Sequence, residues 1–156
     1  MTTGHDIAMG LRAAYWSMHR QTNARLARHA VTADQFVLLS LLAEQDGITQ
    51  QQLCRRASSD PNTIRAILVL LENSGLVARE PHPTDARARR VTLTRKGRQT
   101  YARLSAELKP LQDRLLGLFD AEEGQALVQF LGRISEEMIR SERRRRGAAA
   151  SATAGK

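Results

Sequence analysis

The sequence predicts a mainly α protein with a small pair of β-strands near its middle and long helices at both ends. Three observations carry that expectation. Two capping boxes, Thr32 with Gln35 and Thr49 with Gln52, open two helices in succession, and a third opens on Asp60-Pro61 and closes at Gly75. Two short alternating stretches around a basic loop follow at once. Leucines then recur at helical seam spacing along the remaining chain.

The bulk properties bound the partners. At 156 residues and 42% apolar content the chain can bury a core, and no run approaches the roughly 18 apolar residues of a membrane span. The amino terminus lacks a charged-then-apolar signal pattern, which places the protein in the cytoplasm. A single cysteine, Cys54, excludes an intrachain disulfide framework; a buried structural thiol and a redox sensor both remain open. The net charge of +8 and pI near 10.9 favour an anionic partner. That charge is uneven: Arg87, Arg89, Arg90, Arg95, Lys96 and Arg98 crowd one region, and Arg143 to Arg146 form a second block. The second block reads as a solvated end of a helix, with contact to DNA as the other reading.

In order, residues 1–6 are expected to fray and a helix to begin near Ile7. Ile7, Leu11, Ala14 and Met18 share one face with Trp16 opposite, so this helix is expected to be covered on two sides, as a subunit arm would be. The Thr32 box carries a Val31–Phe36 hydrophobic staple, and its helix is expected to run to about Gln45 before Gly47. The Thr49 box, stapled by Ile48 and Leu53, opens a short helix ending near Ala57. After the Ser58-Ser59-Asp60 turn comes the third helix, with Ile64, Ile67, Leu68 and Leu71 at i, i+3, i+4 and i+7 facing a core. Asn62, Ala66, Val69 and Asn73 lie opposite, with Arg65 on the shoulder. A short helix, a tight turn and a longer amphipathic helix make a helix-turn-helix.

Leu76 to Arg79 reads as a strand stopped by Pro81 and Pro83, residues 84–88 as a loop tip, and Val91 to Thr94 as the returning strand. Placed there, the hairpin makes a winged helix-turn-helix; a plain charged hairpin is the alternative. Thr94 caps a long helix whose Leu104, Leu108, Leu111, Leu115 and Leu118 form a seam interrupted by Pro110. Asp120 and Glu123 open another helix with Leu127, Leu131, Ile134 and Met138 in line. The seams are expected to pack on a second copy, with an intramolecular helix pair as the alternative. The expected organisation is an N-terminal dimerisation arm (1–30), a winged DNA-binding domain (31–97), C-terminal dimerisation helices (98–146) and a disordered tail (147–156).

The order of parts, and above all Glu72-Asn73-Ser74-Gly75-Leu76-Val77-Ala78-Arg79 followed by Asp85 through Gly97, resembles the MarR family of bacterial transcriptional regulators over roughly residues 7–140. The resemblance implies a dimer whose recognition helices enter major grooves while wing arginines reach minor grooves, and repression relieved by a small ligand, often a phenolic or other aromatic acid. Ala86 stands where the family often has a basic residue, and the Asp60-Pro61-Asn62 start of the recognition helix is not the commonest form.

The candidate DNA contacts are Ser59, Asn62, Thr63, Arg65, Ala66, Arg87, Arg89 and Arg90. Arg suits guanine O6 and N7, Asn suits adenine, and Ala66 suits a thymine methyl, although packing beneath the wing explains Ala66 equally well. Arg87 is expected in the minor groove with Asp85 shaping the wing, and Arg89 and Arg90 on phosphates. The resemblance places an effector between arm and winged domain, which makes Tyr15, His19, Phe36 and Leu39 candidates, each with plain core as its alternative. No cofactor or metal is expected, since the histidines show no ligand spacing. Nor is there a phosphate loop or nucleophile elbow, so an enzyme is disfavoured. A winged helix serving protein interaction, or a nonspecific chromosome binder, is the rival reading.

Overall fold

A computed structural model describes residues 1–85 and 89–153, the side chains of 146–153 excepted. It divides into two compact units, Met1–Leu111 and the chain from Gln112 onward, which are taken separately.

The first unit opens with α1 (Gly4–Leu26), three residues earlier than the sequence reading expects. The cause is a third capping box: the Thr3 side chain accepts from the Asp6 amide, and Asp6 accepts from the Thr3 amide at 2.8 Å. A single 3-10 turn, Ala27–His29, ends on Ala30 in the left-handed region at φ 53. Then follow α2 (Ala33–Glu44), a two-residue strand β1 (Ile48–Thr49), α3 (Gln50–Arg56) and α4 (Pro61–Asn73). Both anticipated capping boxes are present, as is the Asp60 cap with Pro61 in the first turn.

The turn between α3 and α4 is built on Ser58 at φ 49. Ser58 N–H donates to the Arg55 carbonyl and Ser59 N–H to that of Cys54, a Schellman closure made by serine in place of glycine. Gly75 repeats the closure after α4 at φ 70, donating to the Glu72 carbonyl while Leu76 N–H reaches that of Leu71. Ile64, Leu68 and Leu71 are fully buried, each contributing roughly 1.5–3 kcal/mol of burial.

The wing strands are β2 (Val77–Pro81) and β3 (Arg89–Leu93), antiparallel with Glu80 opposite Arg90. They are joined by β1, which the sequence reading treats as a helix staple only. Ile48 pairs with Val91, so the sheet has three strands in the order β1-β3-β2. Ile48 holds both roles, since its buried side chain sits in the core with Leu53.

The helix α5 (Arg95–Leu116) starts where Thr94 Oγ accepts from the Gly97 amide at 2.9 Å. Its leucine seam divides. Leu104 and Leu108 are buried in the same core as Leu26, Phe36 and Leu39, so this half serves the winged unit itself and not, as expected, a second copy. Pro110 is carried inside the helix. Arg28 on the 3-10 turn bonds Glu107 of α5.

In the second unit, Asp120 caps α6 (Ala121–Thr153) by accepting from the Glu122 and Glu123 amides, and Glu123 accepts in return from Asp120. Its apolar stripe stays exposed in the single chain: Leu127 is 37% accessible and Met138 61%. The helix runs on to Thr153, where the sequence reading expects a disordered tail from residue 147. Ala148, Ala149 and Ala150 carry the best helix propensity, and no proline stops them. No described helix is long and apolar enough to cross a membrane.

Candidate nucleic-acid interface and adjoining cleft

The outer face of α4 is open. Asn62, Thr63, Arg65 and Ala66 are all exposed, one turn and a half from the Asp60 cap, while Ser59 is half-buried in the turn before it. Val69 is 42% accessible, and with Ala66 also exposed, this face does not pack beneath the wing. Asn62 and Arg65 therefore project from a helix whose position is fixed by its buried stripe. Thr63 is more constrained. Its hydroxyl donates to Asp60 Oδ2 at 2.5 Å, leaving only lone pairs for another partner. That bond, with the Thr63 and Asn62 amides, holds the Asp60 carboxyl below its ordinary value, so the cap stays ionised.

The basic cluster read from the sequence is partly consumed inside the fold. Arg90 Nε and Nη2 bond Glu80 Oε2 at 3.1 and 2.9 Å across the wing strands, so the guanidinium expected on phosphate already holds a carboxylate. Arg98 pairs with Asp46 at 2.6 Å, and Asp46 also accepts from the Leu93 amide, pinning the loop before β1. Lys96 Nζ donates to the Ser74 carbonyl. By contrast Arg65 and Arg89 are exposed and make no ion pair among the described residues. Asp85 is exposed on the wing loop, and Arg87 lies outside the described residues.

A cleft of about 340 Å³ beside Arg89 is lined also by Thr49, the cap of α3, and by three residues the sequence reading missed: Gln50 and Gln51 of α3's first turn, and Arg79. Arg79 Nε lies 3.3 Å from Glu72 Oε2, yet neither Nε nor Nη2 has a hydrogen-bond partner among the described residues. The distance is that of an ion pair while the angle is not that of a hydrogen bond, so the guanidinium keeps donors unused. Arg79 reads as an ordinary strand residue in sequence; the register of β2 on β3, with Arg79 opposite Val91 and Pro81 opposite Arg89, sets it on the same face as Arg89.

A second cleft of about 340 Å³ lies behind α4. Tyr15 of α1, Asp34 and Val37 of α2, the Ser58-Ser59 turn, and Thr63 and Ile67 of α4 line it. Of the four candidate ligand residues, Tyr15 lines this cleft and His19 stands behind it. The His19 ring stacks on Tyr15 at 5.5 Å, and its Nδ1 is 4.0 Å from Asp34 Oδ1. Phe36 and Leu39 do not line it. Phe36 stacks on Tyr101 at 5.8 Å and Leu39 is wholly buried, both in the central core. Cys54 packs half-buried against that core, and burial pushes its thiol pKa up, disfavouring the thiolate. Among the described residues no group of His, Cys, Asp or Glu could hold a metal ion.

Capped helices, a tight turn, an exposed amphipathic third helix and a three-stranded wing define a winged helix-turn-helix protein. The MarR family profile matches residues 31–88. The transcriptional regulator HosA of Escherichia coli O157:H7 is 33% identical over 101 residues, which cover 65% of this chain and 75% of that relative. Two solved structures share the fold. The transcriptional repressor CouR bound to a 23-mer DNA duplex has a TM-score of 0.73 at 26% identity, covering 86% of this chain and 99% of its own. NadR in complex with 4-hydroxyphenylacetate has a TM-score of 0.76 at 26% identity, covering 86% and 96%. The chain belongs to the MarR family.

Proposed function

We propose that the protein is a cytoplasmic, non-enzymatic homodimer that binds a pseudo-palindromic operator in double-stranded DNA and represses transcription until a small ligand releases it. The observation that carries this reading is the exposed first half of α4, where Asn62, Arg65 and Ala66 face outward on a helix anchored by Ile64, Leu68 and Leu71. In a major groove, Arg65 would pair guanine, Asn62 adenine, and Ala66 a thymine methyl. Ser59 and Thr63 would meet phosphate or base edges at the start of the helix, Thr63 as an acceptor. Arg89 and Arg79 would neutralise phosphates, and Arg87 would reach the minor groove from a wing shaped by Asp85.

Two exposed apolar faces support dimerisation. On α1, Ile7, Met9, Trp16 and Met18 are each at least 42% accessible; on α6, Val128 and Phe130 are 70% and 54% accessible. Apolar surface of that extent on isolated helices suits a partner subunit. The cleft behind α4 supports the ligand reading, because its walls include Thr63 and Ile67 of the proposed reading helix. An occupant there would bear directly on the element that meets DNA.

Fluorescence anisotropy on the region upstream of the protein's own gene, against a scrambled duplex of equal length, tests the reading, with sedimentation reporting the dimer. Tight binding to the first alone is expected. Equal affinity for both would make the protein a nonspecific chromosome binder, and binding to neither would favour a protein-interaction module.

A further inference from the structure

The polarity of the cleft behind α4 selects its ligand. Tyr15, Val37, Ile64 and Ile67 give it apolar walls, and Asp34, in the first turn of α2, is its one charged lining residue among the described residues. The chain holds 24 lysines and arginines, yet none of those among the described residues lines this cleft. The second fixed marker is Thr63. Its proton is committed to Asp60 at 2.5 Å, so it turns lone pairs outward. A carboxylate and a committed hydroxyl both accept hydrogen bonds, and neither can receive an anion; the Ser58, Ser59 and Tyr15 hydroxyls that also line the cleft are neutral and bring no positive charge to offset Asp34. His19, 4.0 Å from Asp34 and stacked on Tyr15, touches both residues without itself lining the cleft.

We infer that the cleft takes a small planar aromatic cation, such as an arylamidine or arylguanidine, with its ring against Tyr15 and Ile67 and its N–H donors on Asp34. An amidinium offers paired donors that match the carboxylate side by side, and an arylcarboxylate in the same pose would face Asp34 with like charge. The volume of about 340 Å³ sits at the lower end of small-molecule sites and suits one or two rings. The Tyr15 face adds attraction for a cation. This assignment rests on the reading of the cleft as the effector site.

Benzamidine, benzamide and benzoate share one ring and differ in charge, so ligand-observed NMR titration of the full chain with all three separates shape from charge. The expected order is benzamidine, then benzamide, then benzoate, with about tenfold or more between first and last, a modest ratio because the Asp34 side chain is 56% exposed. Asp34→Asn should bring the three within about threefold of one another while operator binding without ligand is kept. Val37→Phe, which fills the mouth, should weaken all three together. Benzoate binding as well as or better than benzamidine would overturn the charge assignment and leave the cleft as a ligand site. A benzamidine preference that survives Asp34→Asn would overturn it as well, by placing the cation elsewhere. If none of the three probes binds, or if Val37→Phe changes nothing, the effector reading of the cleft fails together with the inference.

Discussion

Replacing Arg65 and Arg89 separately by alanine distinguishes sequence reading from charge. Both side chains are exposed and without an ion pair among the described residues, so neither loss leaves a buried partner behind. A bidentate Arg–guanine pair discriminates by about 1–3 kcal/mol. A dimer makes that contact twice, so Arg65→Ala should cost about 2–6 kcal/mol on the operator, from about thirtyfold to above ten-thousandfold in Kd. On scrambled DNA the same variant should lose only a small electrostatic increment. Arg89→Ala should behave in the opposite way, weakening both duplexes alike and reducing the slope of log K against log salt by about 0.9 per copy, near 1.8 for the dimer. Replacing Glu80 and Arg90 together by alanine removes a pair that already cancels, and should leave the slope unchanged. Anisotropy titrations at four or more salt concentrations on both duplexes give every quantity. Equal losses on operator and scrambled DNA for Arg65→Ala would refute its reading role, and a full unit change in slope for the Glu80–Arg90 double variant would refute the internal pairing.

Three further outcomes test the scaffold. Asp60→Ala should lower the melting temperature and Asp60→Asn should do so far less, because asparagine also caps. Since the folded Asp60 carboxyl lies below its ordinary 3.8, the charge contribution is present above that pH and is lost as pH falls through the folded value. Thermal melts of the parent and Asp60→Asn should therefore converge in acid. A Cβ at Gly97 would stand 1.9 Å from the Leu76 carbonyl oxygen, so Gly97→Ala should cost about 1–3 kcal/mol or more in urea unfolding. Ala30→Gly, at φ 53, should instead stabilise by about 0.5–1 kcal/mol in the same assay, as left-handed strain is relieved against a gain in chain entropy.

The elements that could be read from the sequence are those whose cause is local. Thr32, Thr49 and Asp60 cap from within three residues, and the α4 stripe repeats with the period of its own helix. What escaped depends on distance along the chain. Thr49 reads as a helix cap, and nothing near it in sequence says that Ile48 also pairs with Val91. The leucine seam of α5 looks uniform, yet Leu104 and Leu108 meet the core while Leu115 and Leu118 are exposed. The same limit governs the site. Arg65 projects from a capped helix and is legible, whereas the difference between Arg89 and Arg90 is set by Glu80 on another strand. Tyr15 and His19 come together because they are one helical turn apart, but Asp34, the residue that gives the cleft its sign, belongs to the next helix.

In the proposed mechanism, ligand release and sequence reading meet at the first turn of α4. Ser59 and Thr63 wall the cleft and also begin the helix that is proposed to meet DNA. Linkage makes the effect reciprocal: whatever factor the ligand removes from operator affinity, the operator must remove from ligand affinity. Moving a repressor from about 99% bound to about 1% bound requires a preference of roughly 10⁴-fold between the two conformations. A dimer has two clefts, and each need supply only about a hundredfold, near 2.7 kcal/mol. A charged hydrogen bond to Asp34 is worth about 1.5–3 kcal/mol when shielded and less at its actual exposure. Charge alone thus falls short, and the remainder must come from apolar contact with Ile67 and Tyr15, surfaces that differ between the two conformations only if α4 itself moves against α1 and α2. A ligand that met Asp34 without touching α4 would bind and leave the operator occupied.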